Sequence, residues 1–389
     1  MTTVASEKTQ KQKRNFWLLV LAAAFLCAAL IGVSYWVFIV RFYVYTEDAY
    51  TNGNAVMLTP QVSAGVKAIY ADETDLVYEG QLIVELDQSN FELRFEELKK
   101  ELAVAVRKVA GIFQDVEARR AQIVLKKAQL RQAELDLGHR EPLVTTGAVS
   151  VEEFETFQTS VAVAAAAVDF AEKEHEAVKA LVAGTTVATH PLVQQVVWNL
   201  RQTYLNLIRC QIWAPVTGYI AKRTVQVGDQ VAAGTTLLYI VPLDEIWVEA
   251  NYKETALKNV RKGQEVSFTA DLYGASFTYR GRVLGFQPGS GNAFSLLPPE
   301  NASGNWIKIV QRVPVRISID PQQLIQKPLF LGLSMRVTID VHETQGHMMA
   351  QTPTFAPLYT TPIYSRQMEQ MVAIDPLITD VIGNNTYPP

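Results

Sequence analysis

The feature that most constrains the fold is a long apolar seam between residues 91 and 137. Stepping alternately four and three residues from Phe91 meets an apolar side chain at every position except Arg119 and Lys126. A repeat of 3.5 residues keeps a narrow apolar stripe on one side of a helix, which is typical of a coiled coil. A helix of about 50 residues is roughly 75 Å long and therefore cannot lie inside a small globule.

A second seam follows after a short interval. The same stepping over residues 154–182 meets one polar side chain, His175, and the seam resumes over residues 193–207 after a Gly- and Thr-rich break. Two seams of similar total length predict an antiparallel α-helical hairpin over residues 88–208.

The sequence between the two seams has the residues of a turn. Pro142 and Gly147 indicate where the outgoing helix stops. Ser150, with Glu153 three residues later, matches a capping box that starts the returning helix. The alternative is that both helices belong to an ordinary bundle, but no third long helix is predicted to pack on them.

Residues 15–41 predict a transmembrane anchor. No charged residue occurs between Trp17 and Val40, and such a helix, about 36 Å long, can cross a hydrocarbon core of about 30 Å. Basic residues dominate the preceding segment. By the positive-inside rule, residues 1–14 are therefore predicted to be a cytoplasmic tail, and the remainder to lie outside the membrane after a single pass. A cleaved signal peptide is the alternative, although its apolar region would be shorter.

Two similar half-motifs flank the predicted hairpin. The first contains Gly65 and Gly80, the second contains Gly218 and Gly234, and each reads as turn, strand, turn and strand. We expect these glycines in turns with positive φ or where strands approach closely. Because an antiparallel hairpin brings its two ends together, the halves are predicted to form one β-sandwich, a split lipoyl-like domain of residues 42–87 and 209–243.

The remaining sequence predicts a second β domain and a tail. Residues 244–342 alternate apolar and polar side chains between turn signals, which favours a small antiparallel β-barrel. Within it, residues 288–305 are rich in Gly, Asn and Pro, and a loop of this length more often binds than packs. Phe294 and Asn301 within this loop and Trp306 directly after it are the candidate docking residues. Residues 343–389 show no sustained period and predict a partly ordered tail. The expected fold class is therefore α+β, elongated and multidomain.

Composition and charge exclude several classes of function. The net charge of −4 gives no reason to expect nucleic acid, and the basic residues Lys258, Arg261 and Lys262, without interleaved aromatics, are typical of a solvated face. The two cysteines, Cys27 and Cys210, are predicted to be free thiols because one in the anchor and one at the hairpin base cannot form a disulfide framework.

No constellation for catalysis is present in the sequence. The five histidines are scattered without metal-ligand spacing, so neither a metal nor a cofactor is expected, and the protein is predicted not to be an enzyme. A lipoyl-like sandwich could instead carry a cofactor on a lysine in the turn between its halves. The segment between Asp87 and Arg209 that would hold this turn is occupied by the hairpin, which argues against a carrier domain.

The split sandwich with an inserted hairpin resembles the periplasmic adaptors, or membrane fusion proteins, of tripartite export systems. The segments IWVEANYKE (246–254) and GNAFSLLPPENASGNWIKIVQRVPVRI (291–317) are similar to the EmrA branch of the HlyD-type adaptors. The likeness covers about residues 15–342. It implies an inner-membrane protein with its bulk in the periplasm, linking a proton-driven major facilitator transporter to a TolC-like outer-membrane channel, for export of toxic hydrophobic compounds. It also implies a homo-oligomer, specifically a hexamer.

The same resemblance implies a docking site at the tip of the hairpin. Adaptors of this group often carry an Arg, a Leu and a Ser that meet the helices of the channel, and the matching residues here are Arg140, Leu143 and Ser150. Arg140 lies one residue closer to Leu143 than in the usual pattern. A simpler interpretation is that Ser150 only caps a helix and Arg140 is a solvated end residue.

Two alternative functions are compatible with these patterns. The first keeps the adaptor but pairs it with an ABC-type polypeptide exporter. The second is a structural coiled-coil tether without any role in transport.

Overall fold

The computed structural model describes residues 3–290, 293 and 310–386, with side chains from residue 16 onward. The helices are α1 (Thr3–Phe38), α2 (Ser89–Thr145), α3 (Val151–Val182), α4 (Pro191–Arg209), α5 (Pro321–Gln326), α6 (Ile363–Met371) and α7 (Asp375–Thr386). The strands are β1 (Tyr43–Asn52), β2 (Val56–Leu58), β3 (Ala64–Ile69), β4 (Leu76–Val77), β5 (Leu82–Leu86), β6 (Gln211–Trp213), β7 (Gly218–Arg223), β8 (Gln230–Val231), β9 (Leu238–Val241), β10 (Trp247–Lys253), β11 (Glu265–Ala270), β12 (Tyr279–Phe286), β13 (Arg312–Ser318) and β14 (Ser334–Asp340).

Helices α2, α3 and α4 form the predicted antiparallel hairpin. Helix α2 has 57 residues and is therefore about 85 Å long. Its seam positions from Ile112 to Leu137 are half-buried, whereas most of the residues between them are exposed. Two ion pairs cross the interface, Arg119 with Glu174 at 2.8 Å and Lys127 with Glu172 at 2.7 Å. The 3.5-residue repeat thus determines which side of α2 faces α3, and the polar seam residue Arg119 is paired across the hairpin.

The returning limb is interrupted at the predicted break but stays aligned. Gly184 adopts φ +69° after α3, and the buried His190 caps α4. The Nδ1 atom of His190 accepts a hydrogen bond from the Leu192 N–H at 3.2 Å. Its Nε2–H therefore donates to the Leu181 carbonyl at 3.1 Å. The His190 imidazole therefore connects the end of α3 to the start of α4 by two hydrogen bonds, and the apolar seam continues across the break.

The turn at the tip of the hairpin is shorter than predicted. Pro142 does not end α2 but lies inside its last turns, where the exposed end of the helix tolerates the lost backbone hydrogen bond. The chain reverses over residues 146–150, with Gly147 at φ +73°. Ser150 is the N-cap of α3, as its capping pattern indicates, and its Oγ accepts from the Glu153 N–H at 3.1 Å.

The two half-motifs form one sandwich of two four-stranded sheets. The strand orders are β2-β9-β7-β4 and β6-β5-β3-β8. Each sheet contains two strands from each half, because β2 and β4 pair with β9 and β7, while β6 and β8 pair with β5 and β3. Both sheets are therefore completed only when the two halves meet. The hairpin that separates them in sequence starts after β5 and returns at β6, and these two strands are neighbours.

The barrel contains one strand that we assigned to the sandwich. Its closed order is β1-β10-β13-β12-β11-β14, so residues 43–52 belong to the barrel and not to the predicted domain of residues 42–87. Strand β1 pairs with both β10 and β14 and closes the cylinder. Its buried side chains include Thr46 and Thr51. Because these two residues are polar, the sequence of β1 lacks the regular alternation of apolar and polar residues that predicts a barrel strand.

The strand register fixes the order of the parts along the molecule. Tyr43, which follows the anchor, pairs with Asp340 at one end of the barrel. Asn52 pairs with Trp247 at the other end, and both connections to the sandwich, 52–56 and 241–247, leave from there. The order is therefore anchor, barrel, sandwich and hairpin.

The C-terminal segment differs most from the predicted tail. After β14 it runs past the sandwich and ends in α6 and α7, which pack on the base of the hairpin. Ile374 and Ile378 are buried against α2 and α4, in one apolar cluster with Leu98, Val193 and Leu200. The base of the hairpin is thus a small helical bundle, closed by residues distant in sequence.

Candidate docking sites at the ends of the molecule

Leu143 is an exposed apolar side chain at the tip of the hairpin. It lies in the last turn of α2 and is 43% exposed. Its carbonyl accepts hydrogen bonds from Ala148 N–H at 3.0 Å and from the Thr146 hydroxyl at 2.9 Å, which hold the turn together. The position of Leu143 is therefore fixed by the backbone while its side chain remains free for contact.

Arg140 is held against the hairpin and does not point freely outward. Its guanidinium carbon lies 3.7 Å from the centroid of the Phe157 ring on α3. Its Nη1 donates to the Asp136 carbonyl at 2.9 Å. Arginine stacks well on aromatic faces, so the side chain joins α2 to α3 just below the tip. Arg140 is therefore more than a solvated end residue, and its docking role stays a prediction.

Ser150 is exposed, and its hydroxyl oxygen is used as the helix cap. The hydroxyl hydrogen can still be donated, because the cap requires only the oxygen as an acceptor. The structure thus brings Leu143 and Ser150 to the same exposed turn, with Arg140 one helical turn below them.

The four glycines of the half-motifs have different structural roles. Gly80 and Gly234 occupy equivalent turns at φ +75° and +85°. Gly218 is where β7 approaches β9, since a Cβ there would lie 2.6 Å from the Val241 carbonyl oxygen. Gly65 lies in β3, and a Cβ would meet only the Gln230 side chain at 3.4 Å. Three of the four positions therefore require glycine, for the two reasons that the sequence suggests.

The other predicted docking residues, Phe294, Asn301 and Trp306, lie outside the described residues. The strands beside them are described. β12 ends at Phe286, which pairs with Val315 of β13, so the loop leaves the barrel at the end where β1 begins.

The contacts that fix the hairpin base were not predicted from the sequence. The guanidinium of Arg366 lies 4.3 Å from the Trp213 ring, and its Nη1 donates to the Gly80 carbonyl at 2.9 Å. Arg201 pairs with Asp375 at 2.8 Å. The sequence does contain a signal for α7 and the turn before it. The apolar residues Ile374, Leu377, Ile378, Val381 and Ile382 follow one face of a helix.

No group of three His, Cys, Asp or Glu side chains within residues 16–290, 293 and 310–386 is placed to hold a metal ion. Cys210 is buried at the foot of α4, and burial raises the pKa of its thiol to about 11. A thiol with so high a pKa is a poor nucleophile.

Comparisons with known proteins agree with this architecture. The family model described as the EmrA alpha-helical hairpin domain matches residues 89–210. Over 388 residues the chain is 38% identical to the multidrug export protein EmrA of Haemophilus influenzae, covering 99% of this chain and 97% of that one. It is 38% identical to the Escherichia coli protein of the same name, over 92% and 91% of the two chains. It is 44% identical to the fatty acid resistance protein FarA of Neisseria gonorrhoeae, over 79% and 78%.

An N-terminal apolar helix, a β-barrel and a split sandwich carrying a helical hairpin define a membrane fusion protein. Residues Phe16–Phe42 are long and apolar enough to cross a membrane. The near-complete coverage at 38% identity includes all of these parts. The chain belongs to the EmrA family of membrane fusion proteins.

Proposed function

We propose that this protein is the periplasmic adaptor of a tripartite efflux pump and has no enzymatic activity of its own. It links a proton-driven major facilitator transporter in the inner membrane to a TolC-like channel in the outer membrane. The observation that carries the proposal is the linear order of anchor, barrel, sandwich and hairpin, with about 85 Å of helix extending beyond the last β domain. Energy for transport comes from the transporter.

The anchor determines which end faces which membrane. Charged residues are absent from the span Phe16–Phe42 except for Arg41 at its end. The lysines and arginine of the preceding segment favour a cytoplasmic N-terminus by the positive-inside rule. The barrel then lies against the periplasmic face of the inner membrane, and the hairpin tip is directed toward the outer membrane.

The two ends bind different partners. At the tip, Leu143 provides an apolar contact and Ser150 a hydrogen-bond donor for the helices of the channel. Arg140 supports these contacts by fixing α2 against Phe157. At the other end, the barrel loop with Phe294, Asn301 and Trp306 docks on the transporter, because its flanking strands end on the side of the anchor. A continuous conduit requires several copies, and we propose a hexamer.

The exported compounds are toxic and hydrophobic. Relatives of this chain are named for multidrug export and for fatty acid resistance, which supports this class of substrate. No ABC ATPase is needed in this proposal, so loss of the adaptor should raise sensitivity to such compounds and leave polypeptide secretion unchanged.

Complementation tests the proposal and the docking site together. In a strain lacking the gene, we expect the wild-type chain to restore resistance to hydrophobic toxicants and Leu143→Asp to abolish it. Leu125→Asp is the matched control, because Leu125 is also exposed on α2, at 56%, but about 27 Å from the tip. Unchanged resistance in the deletion strain contradicts the efflux function. Equal activity of the two aspartate variants contradicts docking through Leu143.

A further inference from the structure

The junction between the anchor and the barrel contains no linker. The apolar span ends at Phe42 and β1 begins at Tyr43. The Phe42 carbonyl accepts a hydrogen bond from the Val341 N–H at 2.8 Å, and its ring stacks on that of His342 at 4.3 Å. The last residue of the span is therefore already part of the barrel. A membrane that surrounds α1 must hold this end of the barrel at the depth of its headgroups.

A basic turn lies at the same end of the barrel. The connection between β10 and β11, residues 254–264, carries Lys258, Arg261 and Lys262 against one acidic residue, Glu254, and Lys253 is the last residue of β10. β11 is separated from β1 only by β14, so the turn lies about 10 Å from the exit of the anchor. This turn is therefore positively charged, although the net charge of the whole chain is −4.

The backbone of the basic turn is fixed while its lysines are exposed. Gln264 is buried, and its Nε2 donates to the carbonyls of Asn259 at 3.0 Å and Glu343 at 2.7 Å. The Lys262 N–H donates to the His347 carbonyl at 3.2 Å. Among the residues that the structure describes, neither Lys258 nor Lys262 forms an ion pair.

We propose that the basic turn docks on anionic phospholipid headgroups of the membrane that holds the anchor. The inference rests on the proposed anchoring through α1. Lys258 and Lys262 supply the charge, with Arg41 beside the span. The acidic residues of the same end are Glu254, Glu265, Asp340 and Glu343. Of these, Glu265 pairs with Arg282 and Asp340 contacts His342. Ammonium groups near an anionic bilayer strengthen attachment roughly fivefold each. A second membrane contact beside the helix would stop the barrel from tilting on its anchor. It would therefore keep the hairpin perpendicular to the membrane.

Lysine labelling of the full chain in lipid nanodiscs tests this docking. The chain is inserted in discs of phosphatidylcholine alone or mixed equally with phosphatidylglycerol, and methylated with a neutral reagent. Mass spectrometry then gives the rate at each lysine. We expect labelling of Lys258 and Lys262 to slow roughly fivefold or more in the anionic discs. The difference should disappear in 1 M salt, where the screening length is about 3 Å.

Lys222 provides the internal control, because it is exposed on β7 of the sandwich, beyond the far end of the barrel. Its rate should be the same in both discs. Lys258→Glu should remove the anionic protection at Lys262, whereas Lys222→Glu should not. Equal rates at Lys258 in both discs overturn the docking, as does protection that requires an added transporter. A chain that does not stay with the discs contradicts the anchoring itself and the proposed function with it.

Discussion

The C-terminal helices clamp the base of the hairpin, and replacing Ile374 by Ala should release them. Ile374 is 2% exposed and packs in the apolar cluster formed by α2, α4 and α7. Truncating a buried isoleucine to alanine removes transfer free energy and leaves a cavity, at a cost of 2–5 kcal/mol. Because Ile378 is the one buried residue within α7, all of which the structure describes, this helix can relax into the cavity, and we expect about 2–3 kcal/mol.

Amide hydrogen exchange of the full chain measures this loss locally, which avoids treating a multidomain protein as a two-state system. The opening of α7 should become roughly 30- to 140-fold more frequent in Ile374→Ala. The amides of the barrel should not change.

Val372→Ala is the matched control for this substitution. Val372 lies two residues away in the same turn but is 64% exposed, so its truncation should change the protection of α7 by less than about 0.5 kcal/mol. If Ile374→Ala also changes the exchange of α7 by less than this amount, the C-terminal helices do not clamp the base, and the reasoning is refuted.

Three further predictions concern the sandwich, the tip and the buried thiol. Gly218→Ala should lower the stability of the sandwich by about 1–3 kcal/mol in hydrogen exchange, because its Cβ would lie 2.6 Å from the Val241 carbonyl oxygen; Gly111→Ala, with no atom within 4 Å of the added Cβ, should not destabilise α2. Arg140→Ala should weaken the tip by about 0.5–1 kcal/mol through loss of its contact with Phe157, and equal exchange near the tip in Arg131→Ala and Arg140→Ala would contradict this. Burial raises the pKa of the Cys210 thiol to about 11, and only the thiolate is the nucleophile. At pH 8 Cys210 should therefore be alkylated at least about 100-fold more slowly than in the denatured chain, and the rate should increase as the pH rises toward 11. A rate equal to that of the denatured chain would contradict the burial of this thiol.

The hairpin could be predicted from the sequence because its fold is encoded locally. A seam repeating every 3.5 residues has one structural solution, and α2 and α3 follow it even where Arg119 interrupts the apolar stripe, since Glu174 neutralises the charge across the interface. The predictions of an α+β fold class, a split sandwich and a barrel are confirmed for the same reason, because each depends on short alternating strands between turn residues.

The parts that could not be predicted depend on contacts between distant segments. Strand β1 joins the barrel through β10 and β14, which follow it by about two hundred residues or more. Its threonines are buried in the structure, but in the sequence they look like the polar residues of an exposed strand. Helices α6 and α7 are short, so their stability comes from packing on α2 and α4 rather than from propensity. The docking role of Arg140 stays a prediction, and its stacking on Phe157 could not be predicted because it depends on the register of α3.

Site-specific photocrosslinking in cells tests the central claim, that the molecule spans from the inner-membrane transporter to the outer-membrane channel. A photoreactive residue is placed at Leu143 of the tip, at Leu125 of the hairpin shaft, or at Lys258 of the barrel. We predict crosslinks to an outer-membrane channel from Leu143, none to the channel from the other two positions, and crosslinks to lipid from Lys258. Channel crosslinks that arise from Lys258 and not from Leu143 would reverse the orientation of the adaptor and contradict the account.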